Sequence, residues 1–333
     1  MRALLALIAW PLLATFAPAA MFRPAPIPGK ATIAFESVPL DASDPSRRRI
    51  GDLLYLGGWA IRSNDPRFGG ISSMHVRDGA VTALSDAGQL LRFPVPGTGR
   101  QELSIAALPD GPGTVDRKKE RDSEAMTVHG DHAWVAFERH NAVWRYRLAD
   151  WRSDSAARPE AMRGWRSNSG GEGIIRLPDG RFLIFAEARQ QPDGVGEVAL
   201  FDGDPAVQGT PSRRIFYRPP AGYRVTDAAL LPDGRMLLLN RRFTPLEGVS
   251  AKLTVAPVAA WRAGAVIEPR EIAFFQAPVT VDNMEALSVT REAGRTIVWI
   301  ASDDNFSGLQ RTLLLKFAMA PDARKEAGKI PAP

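Results

Sequence analysis

Apolar residues in this chain fall in short runs separated by polar, glycine-containing breaks. Ala133–Phe137, Ala142–Leu148, Phe182–Ala186, Val198–Phe201, Met236–Leu239, Lys252–Ala256, Thr296–Ala301 and Leu313–Phe317 have the length and composition of strands. Few stretches place apolar residues at i, i+3, i+4 and i+7 without an intervening Pro or Gly, so long helices are not expected. The breaks carry hairpin chemistry: Arg77-Asp78-Gly79, His129-Gly130-Asp131, Pro178-Asp179-Gly180 and Pro232-Asp233-Gly234. Gly readily takes positive φ, so Asp-Gly between apolar runs turns the chain back on itself.

The runs repeat. Leu177–Leu183 reads LPDGRFL and Leu231–Leu237 reads LPDGRML. Glu172 and Asp227 stand before these stretches, and Glu187 and Asn240 follow the next strand. The same order runs from Glu124 to Glu138, from Glu285 to Asp303 and, more weakly, from Ser72 to Asp86. A strand-built unit of roughly 40–50 residues suggests a β-propeller. Five units are visible between 70 and 318, and the segments 31–61 and 262–278 supply chain for one more. The expected fold is all-β, a single six-bladed propeller, with five or seven blades as the alternatives. Strands from both chain ends are expected to complete the last blade, which leaves no free sheet edge there.

The flanks read differently. Arg2, the apolar run Ala3–Phe16 and Ala17-Pro18-Ala19 have the layout of an export signal over residues 1–19. Residues 20–30 are Pro-rich and read as a linker, 31–318 as the propeller and 319–333 as a flexible tail. A periplasmic or secreted protein is expected, with no membrane span once the signal is cleaved, and monomeric. Of 333 residues 45% are apolar, ample for a core. Cysteine is absent, which excludes disulfides, thiolate metal sites and Cys nucleophiles. The formal charge of +5 is scattered, apart from Arg47-Arg48-Arg49 and Arg117-Lys118-Lys119, and no nucleic-acid motif accompanies it.

In a propeller, residues repeated just before the inner strand or just after the next one converge on one mouth. The heads are Glu124, Glu172, Asp227 and Glu285. The tails are Glu138, Glu187, Asn240, Asp303 and Asp304. Like charges brought together repel and burial disfavours their ionised form. A hard cation such as Ca²⁺, a basic neighbour or a bound proton resolves the conflict. Arg139 follows Glu138, and Arg241-Arg242 follow Asn240. The alternative is that these acids cap turns and tie blades together. Asp303-Asp304-Asn305, to which Gln310-Arg311-Thr312 returns, reads either as a ligand loop or as a self-stabilising Asx turn. The four His show no zinc spacing, and no G-x-S-x-G elbow is present.

Four stretches carry a family resemblance: Asp122-Ser123-Glu124-Ala125-Met126; Asn168–Gly173 with Phe185-Ala186-Glu187; Val225-Thr226-Asp227 with Leu238–Phe243; and Asn283-Met284-Glu285-Ala286 with Ser302–Phe306 and Gln310-Arg311-Thr312. Through them the chain resembles the exported bacterial phytase-like propellers ("esterase-like activity of phytase") over about residues 50–318. The resemblance implies a single propeller, export and ester or phosphoester hydrolysis. The expected assignment is a metal-dependent esterase or phosphoesterase acting on a small anionic ester at the channel mouth. Ca²⁺ would sit among Glu172, Glu187, Glu285, Asp303 and Asp304. Arg241 and Arg242 would hold the anion, with Glu138 as base. Glu124, Arg139, Asp227, Asn240 and Arg311 would line the ligand site. A non-catalytic periplasmic propeller that binds a ligand or a protein is the alternative. A lactonase-like propeller with one axial metal is a third reading.

Overall fold

The repeated Pro-Asp-Gly-Arg has a local explanation. Asp179 accepts the backbone N–H of Arg181 at 3.1 Å and its guanidinium Nε at 2.8 Å. Asp233 does the same for Arg235, at 3.2 and 2.9 Å. The aspartate caps its own turn and the arginine closes it. In the computed structural model, which describes residues 26–115, 117–167, 170–190 and 194–320, turns of this kind join antiparallel strands into five sheets.

Blade I comprises Ile71–Arg77, Ala80–Ser85, Gln89–Pro94 and Ser104–Ala107. Blade II comprises Ser123–His129, His132–Phe137, Ala142–Arg147 and Ser153–Ala157. Blade III runs through Gly171–Arg176, Phe182–Gln190, Gly196–Phe201 and Ser212–Tyr217. Blade IV is built from Arg224–Leu230, Arg235–Thr244, Gly248–Pro257 and Arg270–Phe275. Blade V takes Met284–Glu292, Arg295–Ser302 and Leu313–Met319, then Leu53–Ser63 and Thr32–Ser37 from the other end of the chain.

The first strand of each blade is its innermost, and these strands touch in a closed circle from blade I through blade V and back. The core divides accordingly, with one apolar cluster at each junction. Leu84 and Phe137 lie between blades I and II, Trp134 and Ile174 between II and III, and Phe185 and Leu238 between III and IV. Leu253 and Phe317 join blades IV and V, and Met74 and Trp299 join V to I. Each fully buried Leu or Phe contributes about 1.5–3 kcal/mol, so every junction is a substantial interface.

The expectation of six blades is corrected to five. Arg270–Phe275 does not found a blade; it pairs with Gly248–Pro257 as the outer strand of blade IV. Val266–Ile267 lies parallel on the edge of blade III. Thr32–Ser37 pairs with Leu53–Ser63, which itself pairs with Leu313–Met319. Outer strands add width to a blade without adding a step to the circle. The seam formed by the two chain ends is present as the repeat predicts. The expected export signal, the start of the linker and the tail beyond residue 320 lie outside the described residues. No helix among the described residues is long and apolar enough to cross a membrane.

Candidate functional site

Every inner strand carries a β-bulge at the same place. Its pairing with the second strand skips Ser72, Glu124, Glu172, Thr226 and Glu285 in blades I to V respectively. A bulge leaves the extra residue unpaired and re-aims its side chain. In two blades that side chain is a hydroxyl spent on the next blade. Ser72 Oγ donates to the Ser123 carbonyl at 2.6 Å, and Thr226 Oγ1 to the Met284 carbonyl at 3.1 Å. In the other three it is a glutamate.

A second ring lies at the end of the second strands. Asp86, Glu138, Glu187 and Asp303 each donate a backbone N–H to the carbonyl two residues before the bulge: Gly70, Asp122, Gly170 and Asn283, at 2.8, 2.9, 3.1 and 2.9 Å. Blade IV holds Arg241 at this position, in register with Arg224. The two rings bring side chains from all five blades to one mouth.

The charge of the mouth is unevenly balanced. Carboxylate oxygens of Asp122, Glu124 and Glu138 lie within 4.8 Å of one another, and so do those of Glu138, Glu172 and Glu187. Glu138 belongs to both triads. Across the channel, Arg241 lies 3.3 Å from Glu285 and 3.9 Å from Glu187, and it donates to Asn283 Oδ1. Asn283 Nδ2 donates in turn to Glu285 at 2.9 Å, and Arg224 stands 3.6 Å from Glu187. Lys118 Nζ donates to Asp86 at 2.5 Å, and Arg139 lies 3.3 Å from Asp122. Among the described residues these ion pairs leave Glu124, Glu138 and Glu172 without one.

Burial acts on the acids as expected. It pushes Glu138 up to about 8, with the charges of Asp122 and Glu187 adding to the rise and the Gly170 N–H opposing it. Asp86 is raised by burial to about 7, against the pull of Lys118. Glu124, Glu172 and Asp303 are held well above the carboxylate range by burial first and by neighbouring acids second. Asp122 is raised too, by burial first, with Lys118 and Arg139 opposing the rise. Burial also raises Glu285, although Arg241 opposes it.

Glu124, Glu138, Glu172, Glu187, Glu285, Asp303, Arg139 and Arg241 are thus all brought to the mouth. Five other expected residues are engaged elsewhere. Asp227 follows the bulge and faces away; it accepts Ala228 N–H at 2.8 Å and Leu287 N–H at 2.7 Å, stapling blade IV to blade V. Asn240 is fully buried and satisfied by Tyr217 OH at 2.9 Å and Thr254 Oγ1 at 3.1 Å. Arg242 pairs with Glu247 and stacks 5.0 Å over Tyr223, outside the mouth. Asp304 is a loop staple, accepting Gly70 N–H at 2.9 Å, Phe306 N–H at 3.0 Å and the Thr312 hydroxyl at 2.8 Å. Arg311 lies half exposed against Asp282 at 3.3 Å. Asp122, Lys118 and Arg224 are mouth residues that the repeat did not single out. Asp122 and Arg224 would emerge from counting two residues back from each bulge. Lys118 lies in a connection, where no repeat applies.

Among solved structures, a GH43_1 enzyme from Xanthomonas citri shares 13% identity at a TM-score of 0.48, covering 86% of this chain and 91% of that one. Glutaminyl cyclase from Myxococcus xanthus shares 10% at 0.44, covering 76% and 92%. An exo-1,5-alpha-L-arabinanase from a bovine ruminal metagenomic library shares 11% at 0.47, covering 76% and 93%. None of the curated proteins matches the chain. The phytase-like family, described as "Esterase-like activity of phytase", matches residues 66–306, a span from just before blade I into blade V that includes all three bulge glutamates, and the chain belongs to that family.

Proposed function

We propose that this propeller is an exported hydrolase of small anionic esters whose mouth holds a divalent, oxygen-seeking cation such as Ca²⁺. The observation that carries the reading is the pair of carboxylate triads that share Glu138 and, among the described residues, have no ion pair at Glu124, Glu138 or Glu172. Several buried carboxyl groups this close are stable only with protons or with a cation. Oxygen-only donors suit Ca²⁺, which takes six to eight such ligands. Asp122, Glu124, Glu138, Glu172 and Glu187 would hold it. Glu285 and Asp303, on the side neutralised by Arg241 and Lys118, would contribute charge. When bound, such a cation polarises a phosphoryl or carbonyl oxygen and makes a bound water more acidic.

The chain's own residues supply the rest. Arg241 presents a guanidinium fixed by Asn283 and Glu285 and half-aimed at Glu187, so it can receive an anionic group without reorganising. Glu138 accepts the Gly170 N–H at 3.4 Å through Oε1, which leaves Oε2 as its oxygen for the cation that the two triads would share. Export rests on the leader-like segment 1–19.

The test is metal analysis of the purified protein, calorimetric Ca²⁺ titration and a panel of chromogenic phosphate and carboxylate esters. Bound or titratable Ca²⁺ and turnover that chelation removes are expected. Protein that binds no divalent cation and cleaves no ester overturns the reading. Ca²⁺ binding without turnover of any ester would leave a non-catalytic ligand-binding propeller.

A further inference from the structure

The carboxylate triads gather at one end of the channel. The other end holds a cavity of about 190 Å³ to which all five inner strands contribute, several times the roughly 30 Å³ that one water takes up in the liquid. Its walls carry His75, His129 and Arg176 and no carboxylate. The acids at this end close the first hairpin of each blade, and each is held by its own base. Asp78 lies 3.3 Å from Arg77, Asp131 2.7 Å from His132, Asp179 2.8 Å from Arg181, Asp233 2.5 Å from Arg235 and Glu292 2.6 Å from Lys316. Among the described residues, His75, His129 and Arg176 have no ion pair and no side-chain hydrogen bond.

Strand alternation sets where these three side chains point. Met74 and Val76 pack into the core between blades V and I, so His75, which lies between them, faces blade II. Met126 and Val128 pack toward blade I, so His129 faces blade III. Ile174 packs toward blade II, and Arg176, two residues on, faces the same way. His129 and Arg176 thus share one gap, and His75 lies in the next. Backbone donors join them. The innermost strand of a blade has one open edge, along which alternate N–H groups point into the channel. Val76 N–H does so and reaches Ser288 Oγ at 3.0 Å. Val128 and Val289 hold the same place, four residues past their bulges, and line the cavity. Burial first, and the charge of Arg77 second, hold His75 below the usual histidine range. An anion beside it would offset that penalty.

We propose that this end of the channel is a second binding site, for a small oxyanion of the phosphate class, with Arg176 as its main clamp and His75 and His129 closing it. A guanidinium offers two parallel N–H donors to such an anion, and each imidazole offers at least one. Unpaired bases around a cavity free of carboxylates create a local positive field, which concentrates anions there. The channel is then polar along its length, with a cation-seeking mouth at one end and an anion-seeking floor at the other. The floor uses none of the mouth residues and does not rest on the hydrolase reading.

The chain has four histidines, and two of them line the cavity, so the site can be watched directly. The experiment follows the imidazole resonances of the whole, chelator-treated protein in proton–nitrogen correlation spectra at about pH 6, where histidine readily gains a proton. Inorganic phosphate and glycerol phosphate are titrated in turn. Both present the same oxyanion, one free and one on an organic carrier, and the tighter binder names the source. Saturable shifts are expected at His75 and His129, assigned by the loss of each signal in His75→Gln and His129→Gln, with His132 and His140 unmoved. Arg176→Met is expected to weaken binding by about tenfold or more. Should that variant fail to fold, Arg176→Lys, which keeps the charge and loses the fork, is expected to weaken binding by a smaller factor. Rings unmoved by either anion, or shifts confined to His132 and His140, overturn the proposal, as does wild-type affinity in folded Arg176→Met. Phosphate shifts at His75 and His129 in a protein that binds no Ca²⁺ and cleaves no ester sink the hydrolase reading and leave this one standing.

Discussion

The two sides of the mouth use the same ring positions and neutralise them in opposite ways. On blades II and III the bulge residues Glu124 and Glu172 and the shared Glu138 come together, and among the described residues no basic side chain forms an ion pair with them. On blades IV, V and I the equivalent positions are Thr226, Glu285 and Ser72 in one ring and Arg241, Asp303 and Asp86 in the other, served by Arg241 and Lys118. The backbone is alike on both sides. What differs is whether the counter-charge is covalently part of the chain. Built-in cations give permanent order, whereas bare acids give a site whose charge is set by what it binds.

Glu138→Gln offers the most drastic way to break the contrast, because this side chain serves both triads. Calcium binding and ester turnover are both expected to vanish, as read by calorimetry and chromogenic assay. Arg241→Met attacks the other side. Removing one member of a buried ion pair strands its partner, here Glu285, at a cost of about 3 kcal/mol. Urea denaturation should show that loss, and added Ca²⁺ should restore part of it as the blade IV–V side comes to resemble blades II and III.

A pH series sharpens the comparison further. Glu138 and Asp86 titrate near 8 and 7 in the folded, metal-free protein, above ordinary carboxyl values. The folded state therefore holds more protons than the unfolded state between about pH 5 and 8, and stability falls as pH rises through that window. Chelator-treated protein should lose on the order of a few kcal/mol from pH 5 to 8, and Ca²⁺ should oppose the loss most strongly at the upper end. The smallest effect belongs to Arg242→Ala. With its guanidinium on Glu247 and Tyr223, outside the mouth, the change should cost less than about 1 kcal/mol and leave kcat/KM unchanged.

The repeat was legible because turns and inner strands recur in every blade, and Glu124, Glu172 and Glu285 were found through it. The misplacement at blade IV has a physical cause. Matching acid to acid selects Asp227. Matching the distance to Leu-Pro-Asp-Gly selects Thr226, which is the bulge residue. One residue of slip in a strand sends a side chain to the opposite face, so Asp227 became an inter-blade staple and Asn240 a core amide, while Arg241 took the ring position. Blade number was overcounted because outer strands have strand composition but none of the head-and-tail chemistry. Glu138 meeting Glu172, or Lys118 meeting Asp86, is a contact between separate blades or between a connection and a blade. Such meetings depend on how the circle closes and leave no periodic trace along the chain.

The pairing of Leu313–Met319 with Leu53–Ser63 has a consequence for biogenesis. Leu313–Met319 is the bolt that fastens Leu53–Ser63, so a growing polypeptide can complete blades I to IV in turn and still be unable to lock the ring until that strand has been made. Truncation shortly before Leu313 would leave the edges of Leu53–Ser63 and Arg295–Ser302 bare, and exposed edges of this kind recruit other chains. The price of this closure is a late and sudden commitment to the native state: most of the molecule is assembled before any of it is sealed.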